Sequence, residues 1–66
     1  MKQLKFLKDV LNPDNNQIIW FKDMIYQTSS ENEDVYMLFC EDMQMRGIEK
    51  SLEKEVYEEI KVVANE

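Results

Sequence analysis

The sequence contains no histidine and only one residue each of cysteine, glycine and proline. Without histidine the chain can form neither a Ser-His-Asp triad nor a Cys-His pair. A single cysteine excludes an internal disulfide and a zinc cluster built on cysteine. No glycine-rich phosphate loop is present either. We therefore expect that the protein is not an enzyme and that it holds no cofactor and no metal ion.

Long apolar runs are missing as well. The first ten residues, MKQLKFLKDV, carry charges throughout and are not typical of a signal peptide. No run approaches the roughly 18 apolar residues that a membrane span requires. A single unpaired cysteine is typical of a reducing compartment. These features predict a cytoplasmic protein without membrane contact.

The chain has 66 residues, which predicts one small domain over residues 1–66. A domain of this size buries about 60% of its unfolded surface and is marginally stable alone. Small scaffolds without disulfides or metals usually need very tight packing or a partner chain. We therefore predict association with another chain, either a second copy in a homodimer or a different protein.

Acidic residues dominate the charge. Fourteen acids against eight bases give a net charge of -6, and residues 31–66 hold eleven of the acids but four of the bases. Such a surface repels nucleic acid phosphates, so we expect no direct nucleic acid binding. It suits a protein partner with a basic surface, or serves solubility alone.

The stretch SENEDVYMLFCEDMQM, residues 30–45, contains the longest apolar run of the chain, six residues from Val35 to Cys40. Ser30 and Glu33 have the spacing of a capping box, and more acids follow in the first turn. Arg46 and Gly47 are typical of a helix C-terminus. These signals predict a helix over residues 31–46, although Val35–Cys40 also has a composition that is typical of a strand.

Two further segments show helical spacing of apolar residues. Residues 2–11 place Leu4, Leu7 and Leu11 on one stripe. Residues 52–64 form the clearest pattern, with Ser51 as the N-cap. The apolar stripe of this last helix consists of Leu52, Val56, Ile60 and Val63. We expect this stripe to be buried, so that truncating Ile60 would destabilise the protein strongly.

Residues 17–28 and 35–40 lack a clean helical period. As strands they would form a hairpin closed by a turn at Ser29–Asp34. The sequence therefore predicts an all-α fold, a small bundle of three to four helices with a helix-turn-helix-like arrangement of the last three. The alternative is an α+β fold with the order helix, β-hairpin, helix.

The candidate partner-binding residues fall into two groups. Acidic side chains would share a face of the last helix, and Met, Trp and Tyr side chains are typical anchors of adaptable interfaces. Core packing and solubility are the simpler interpretations of the same residues. The acidic group is Glu49, Glu53, Glu55, Glu58 and Glu59, and the anchoring group is Trp20, Tyr26, Met37 and Met45.

These observations predict a small acidic protein-interaction module that binds and modulates or inhibits another protein. Short acidic inhibitors of this kind are common in phages and mobile elements, and some act as DNA mimics on nucleic-acid-binding host proteins. The alternative is a helix-turn-helix-like transcription or replication accessory protein, although acids on the groove-facing helix argue against DNA reading.

Overall fold

The computed structural model describes residues 1–61, and this part of the chain contains strands and one 3₁₀ turn but no α-helix. The strands are β1 (Gln3–Phe6), β2 (Val10–Leu11), β3 (Ile18–Trp20), β4 (Ile25–Glu31), β5 (Val35–Phe39), β6 (Met45–Glu49) and β7 (Tyr57–Ile60), with the 3₁₀ turn at Lys50–Leu52. Five strands form an antiparallel sheet in the order β6-β5-β4-β1-β7, and β2 pairs with β3 in a separate ribbon.

The predicted all-α bundle is therefore wrong, and so is its helix-turn-helix-like arrangement. The N-terminal segment shows the physical reason. Leu4 and Phe6 are fully buried while the neighbouring Gln3 and Lys5 are half-buried, which is the period-two pattern of a strand. The stripe of leucines at helical spacing is not buried together, since Leu11 is exposed.

The central stretch, residues 30–45, forms strands and turns instead of a helix. Ser30 lies in β4 opposite Met37 of β5. The amide oxygen of Asn32 accepts hydrogen bonds from the N–H groups of Asp34 and Val35, so this residue organises a turn where a first helical turn was predicted. Gly47 lies in the middle of β6 and not at a helix end.

The alternative fold, helix, β-hairpin, helix, is also wrong because strands replace both flanking helices. The chain does pair β4 with β5 in an antiparallel hairpin. At the C-terminal side, the predicted N-cap Ser51 lies inside the 3₁₀ turn, and β7 follows. Tyr57 is fully buried there, whereas Ile60 is half-buried. We therefore expect truncation of Tyr57, and not of Ile60, to destabilise the protein strongly. Val63 lies outside the described residues.

The sheet curls on itself around β4. The first half of this strand pairs with β1 and the second half with β5, and the register shifts between Thr28 and Ser30. Such a bulge adds a residue to one strand and increases its bend. The two edge strands consequently meet, since the Tyr57 hydroxyl donates a 2.9 Å hydrogen bond to the carbonyl oxygen of Glu49.

The core lies inside this curled sheet and is covered by the β2–β3 ribbon. Phe6 and Trp20 stack with their ring centroids 5.1 Å apart, and Tyr57 meets Phe6 edge to face at 5.9 Å. The indole N–H of Trp20 donates to the carbonyl of Phe39 at 3.0 Å. The buried apolar residues are Leu4, Phe6, Ile19, Trp20, Tyr36, Leu38, Cys40, Ile48 and Tyr57.

Candidate protein-binding face

The side of β5 and β6 that points away from the core carries apolar side chains. Alternation places Tyr36 and Leu38 inside the core, so their neighbours along β5 point outward. The register then pairs Phe39 with Met45 and Met37 with Gly47 across the two strands. We call the residues on this surface the outer apolar face. It consists of Val35, Met37, Phe39, Met45 and Gly47.

Two side chains of this face are open to solvent. Phe39 is 57% exposed and Met45, directly opposite it, is 40% exposed. Met37 is half-buried because it lies over Gly47, where a Cβ atom would stand 3.1 Å from the methionine sulfur. The single glycine of the chain therefore makes room for a methionine on the sheet surface.

The neighbouring strand β4 borders the outer apolar face. The Ser29 hydroxyl lies 3.3 Å from the carbonyl oxygen of Met37, to which it donates, and 3.3 Å from the sulfur of Met45. Ile25, on the same side of β4, is 51% exposed. The Met45 side chain therefore reaches across β5 to Ser29, which forms the polar border of the face.

Acidic residues lie at one end of this face. A cleft of about 430 Å³ is lined by Glu33, Asp34, Glu49, Lys50 and Ser51. Within residues 1–61, none of these three acids forms an ion pair. Like charges that remain unpaired so close together favour a cationic partner.

A different acid at the same end is neutralised within the chain. Glu31 forms ion pairs with Lys50 at 2.7 Å and Lys2 at 3.4 Å. Both ammonium groups also lie over the Tyr36 ring, at 4.9 Å and 5.2 Å from its centroid. The hydrogen bond from Lys50, together with Lys2, holds the pKa of the Glu31 carboxyl below its usual value. These ion pairs link Lys2, which precedes β1, and Lys50 to the end of β4.

The opposite end of the face also carries acids, in the turn between β5 and β6. Asp42 pairs with Arg46 at 2.8 Å, and this hydrogen bond lowers the pKa of the aspartate. Glu41 accepts a 2.6 Å hydrogen bond from the Tyr26 hydroxyl. Burial and this hydrogen bond raise the pKa of Tyr26 to about 12. The outer apolar face therefore has acidic side chains at both ends of its strands.

The structure separates the predicted anchoring residues. Met37 and Met45 lie on the outer apolar face, whereas Trp20 is 3% exposed and belongs to the core. Tyr26 is half-buried and bonded to Glu41. The sequence reasoning missed Phe39, which is more exposed than Met37 and Met45. The alternation of β5 was the available signal, because burying Tyr36 and Leu38 turns Phe39 outward.

The predicted acidic residues do not form one helical face, since the last helix does not exist. Glu58 and Glu59 are neighbours in β7 and therefore point to opposite sides of the sheet. Glu53 and Glu55 lie in the segment between the 3₁₀ turn and β7. Glu49 ends β6 and lies beside the outer apolar face. Of the nine predicted residues, the structure brings Met37, Met45 and Glu49 together.

Within residues 1–61, no group of three Cys, Asp or Glu side chains is placed to hold a metal ion. Cys40 is buried, and burial raises the pKa of its thiol. The described residues include no helix that is long and apolar enough to cross a membrane.

Comparisons with known proteins give no further guide to the role of this face. The chain matches no protein-family model, no curated protein and no solved structure at a significant level.

Proposed function

We propose that this chain is a small protein-interaction module that binds a basic, partly apolar segment of another protein through its outer apolar face. The observation that carries the proposal is the exposed pair formed by Phe39 and Met45. Methionine and aromatic side chains are enriched at adaptable binding surfaces. Contiguous exposed apolar surface on a small protein commonly marks a binding site.

Burial of this pair would supply the affinity. Fully burying a phenylalanine or methionine side chain is worth about 1.5–3 kcal/mol. The chain itself does not achieve this burial, because Phe39 points away from a core that Leu38 and Tyr36 already fill. A partner that covers Phe39, Met45 and the exposed part of Met37 gains this free energy.

The charges define the kind of partner. Glu33, Asp34 and Glu49 at one end, with Glu41 at the other, favour a partner with lysine or arginine on both sides of its apolar contact. Such complementarity gives fast and salt-sensitive association. Proteins that bind nucleic acids have positively charged surfaces of this kind. We therefore favour a nucleic-acid-binding host protein as the partner, which this chain would modulate or inhibit by mimicking the charge of the nucleic acid.

The helix-turn-helix-like alternative requires a helix that can enter a DNA groove. Residues 1–61 contain no helix that could enter a DNA groove. Every acidic side chain near the outer apolar face would also meet the phosphates of a nucleic acid unfavourably. We therefore propose a protein partner and not a nucleic acid.

Affinity purification with matched variants tests the proposal. The tagged chain is used at low salt on an extract of its native host, beside Phe39→Ser and the control Leu11→Ser, whose side chain is 48% exposed but lies on the β2–β3 ribbon. We expect a basic protein that the unchanged chain and the control retain, that Phe39→Ser loses, and that high salt releases.

Retention of the same protein by Phe39→Ser would overturn the proposed face. Loss from both variants would place the binding surface elsewhere. Circular dichroism checks that each variant is folded. We expect both to keep the sheet, because both changes are at exposed positions.

A further inference from the structure

Strand β6 forms one edge of the five-stranded sheet. Its hydrogen-bonding register follows from two bonds that flank the strand pair. The N–H of Cys40 donates to the carbonyl of Gln44, and the N–H of Lys50 donates to the carbonyl of Asp34. Because hydrogen-bonded pairs alternate in an antiparallel ladder, Arg46 and Ile48 bond to β5.

The backbone groups of the intervening residues therefore point away from the sheet. These residues are Met45, Gly47 and Glu49. The Tyr57 hydroxyl occupies one lone pair of the Glu49 carbonyl and thus marks where the open edge ends. Within residues 1–61, no strand lies across from Met45 and Gly47.

The other edge of the sheet, β7, is less open. The N–H of Leu7 donates to the carbonyl of Val56, which sets the alternation between β1 and β7. The backbone of Tyr57 and Glu59 consequently points outward. The Lys54 N–H already donates to the Tyr57 carbonyl, so Glu59 remains as the open residue within this strand.

We infer that the β6 edge accepts an extended segment of the partner protein as an additional antiparallel or parallel strand. This inference rests on the proposed function and specifies how the partner binds. The main-chain groups of Met45 and Gly47 would supply hydrogen bonds, which is the mode of strand addition to an exposed edge. Alternate apolar side chains of the added strand would lie beside Met45 and Met37 and extend the outer apolar face.

The charges select the chemistry of the added strand. Glu33, Asp34 and Glu49 lie near one end of β6, and Glu41 lies near the other, where Asp42 is already paired with Arg46. The added segment therefore carries lysine or arginine on both sides of its apolar centre. Gly47 presents no side chain at the middle of the edge, so a bulky residue of the partner can lie beside Met37.

A second copy of this chain fits the edge less well. Pairing two β6 strands in opposite directions would place Glu49 of each copy toward the β5–β6 turn of the other, where Asp42 is already paired with Arg46 but Glu41 forms no ion pair within residues 1–61. Pairing in the same direction would bring like acidic ends together as well. Each chain also carries a net charge of -6, so a copy of the chain is repelled where a basic segment is attracted.

The experiment removes a single backbone donor. The chain is short enough for chemical synthesis, and Cys40 permits ligation of residues 1–39 to residues 40–66. One synthetic protein carries an N-methyl group on the Gly47 amide, and the matched control carries it on the Glu59 amide at the other edge. Neither methyl group interrupts a hydrogen bond within the sheet.

The probe is a short acetylated and amidated peptide that alternates valine and threonine between pairs of lysines. We expect binding to the unmodified chain to protect the Met45 and Gly47 amides from hydrogen exchange. N-methylation at Gly47 should weaken binding by about tenfold or more, since it removes a hydrogen bond and obstructs the edge. The Glu59 control should bind like the unmodified chain.

The outcomes separate the inference from the proposed function. Unchanged affinity after methylation at Gly47, with loss of affinity in Phe39→Ser, would overturn strand addition and leave the face as the binding site. Affinity that neither change reduces, or no binding of the peptide, would overturn both. Sedimentation of the free chain as a dimer that methylation at Gly47 dissociates would identify a second copy as the occupant and would overturn the basic segment.

Discussion

Strands β5 and β6 have two faces whose residues contribute to the protein in different ways. Tyr36, Leu38 and Ile48 point inward and are at most 5% exposed. Phe39 and Met45 point outward from the same two strands and are 57% and 40% exposed. Since the two sets alternate along the same backbone, hydrophobicity alone does not decide which set is buried; the curl of the sheet does.

The inner face should determine stability and the outer face should determine binding. The inner set belongs to one core cluster, which is formed by residues from every strand of the sheet and from the β2–β3 ribbon. On the outer face, Met37 lies over Gly47, and the sulfur of Met45 lies beside the Ser29 hydroxyl. Five predictions test this division, beginning with the largest expected effect.

Leu38→Ala should lower the free energy of unfolding by about 2–5 kcal/mol, because it leaves a cavity at a fully buried position. Phe39→Ala, one residue further along β5, should change it by less than about 1 kcal/mol. Urea unfolding followed by Trp20 fluorescence measures both. Equal losses would mean that the outer apolar face is part of the core.

Tyr57→Phe should cost about 0.5–1.5 kcal/mol, because it removes the hydrogen bond that joins β7 to the end of β6. The change tests whether the inner face depends on closure of the sheet. Thermal unfolding at neutral pH gives the difference from the unchanged chain. A variant of unchanged stability would show that the curl persists without this bond.

Burial raises the pKa of Tyr57 from 10.0 to about 12. The neutral phenol is therefore favoured in the folded state, and its contribution to stability is complete below pH 10 and is lost as the pH rises to about 12. The pKa of Tyr26 is also raised to about 12, so the stabilisation from its neutral phenol should be lost over the same pH window. In Tyr57→Phe, the fall of stability over this window should be shallower than in the unchanged chain.

Gly47→Ala should change stability by less than about 0.5 kcal/mol, because the added methyl group meets the flexible side chain of Met37. The reason is specific to the outer face, where a side chain can move into solvent. The Met37 methyl resonance should shift, whereas that of Ile48 should not. A large loss of stability would show that Met37 is held as rigidly as a core residue.

Glu31→Gln should have the smallest effect at neutral pH, because the ion pairs of this residue are at the surface. Its lowered pKa means that the charged form stabilises the folded state above about pH 4.5 and that this contribution is lost as the pH falls through the folded value. The acid limb of a stability–pH curve should flatten in Glu31→Gln more than in Glu33→Gln. The reverse order would show that the acids near the cleft are the paired ones.

Some failures of the sequence-based prediction have a common cause in the turns. The predicted helix C-terminus relied on Gly47, yet the backbone of this residue does not adopt a positive φ angle. Among residues 1–61, the four that do are Asn16, Asp23, Met43 and Lys54. Asn and Asp adopt this conformation readily, whereas Met43 and Lys54 carry no such local signal. Two of these turns were therefore not visible as turns in the sequence.

The candidate face was partly predictable. The frequency of methionine at interfaces predicts Met37 and Met45, and negative charge predicts Glu49. Phe39 was missed because a helical interpretation of residues 31–46 gives no reason to separate it from Leu38. Trp20 was chosen for its residue type, but its ring fills the space above Phe6 and its indole N–H binds the Phe39 carbonyl.

The sequence by itself determined the acidic charge, the lack of histidine chemistry and the small size of any core. Only the tertiary structure decided between helix and strand. Capping spacings and apolar runs are local signals that both conformations satisfy, and β-propensity depends on the neighbours that a strand receives. Those neighbours are distant in the chain, since Gln3 pairs with Ile60 and Phe6 with Tyr57. Burial of Leu4, Phe6 and Tyr57 in one core requires strands, because only alternation turns them to the same side of one sheet.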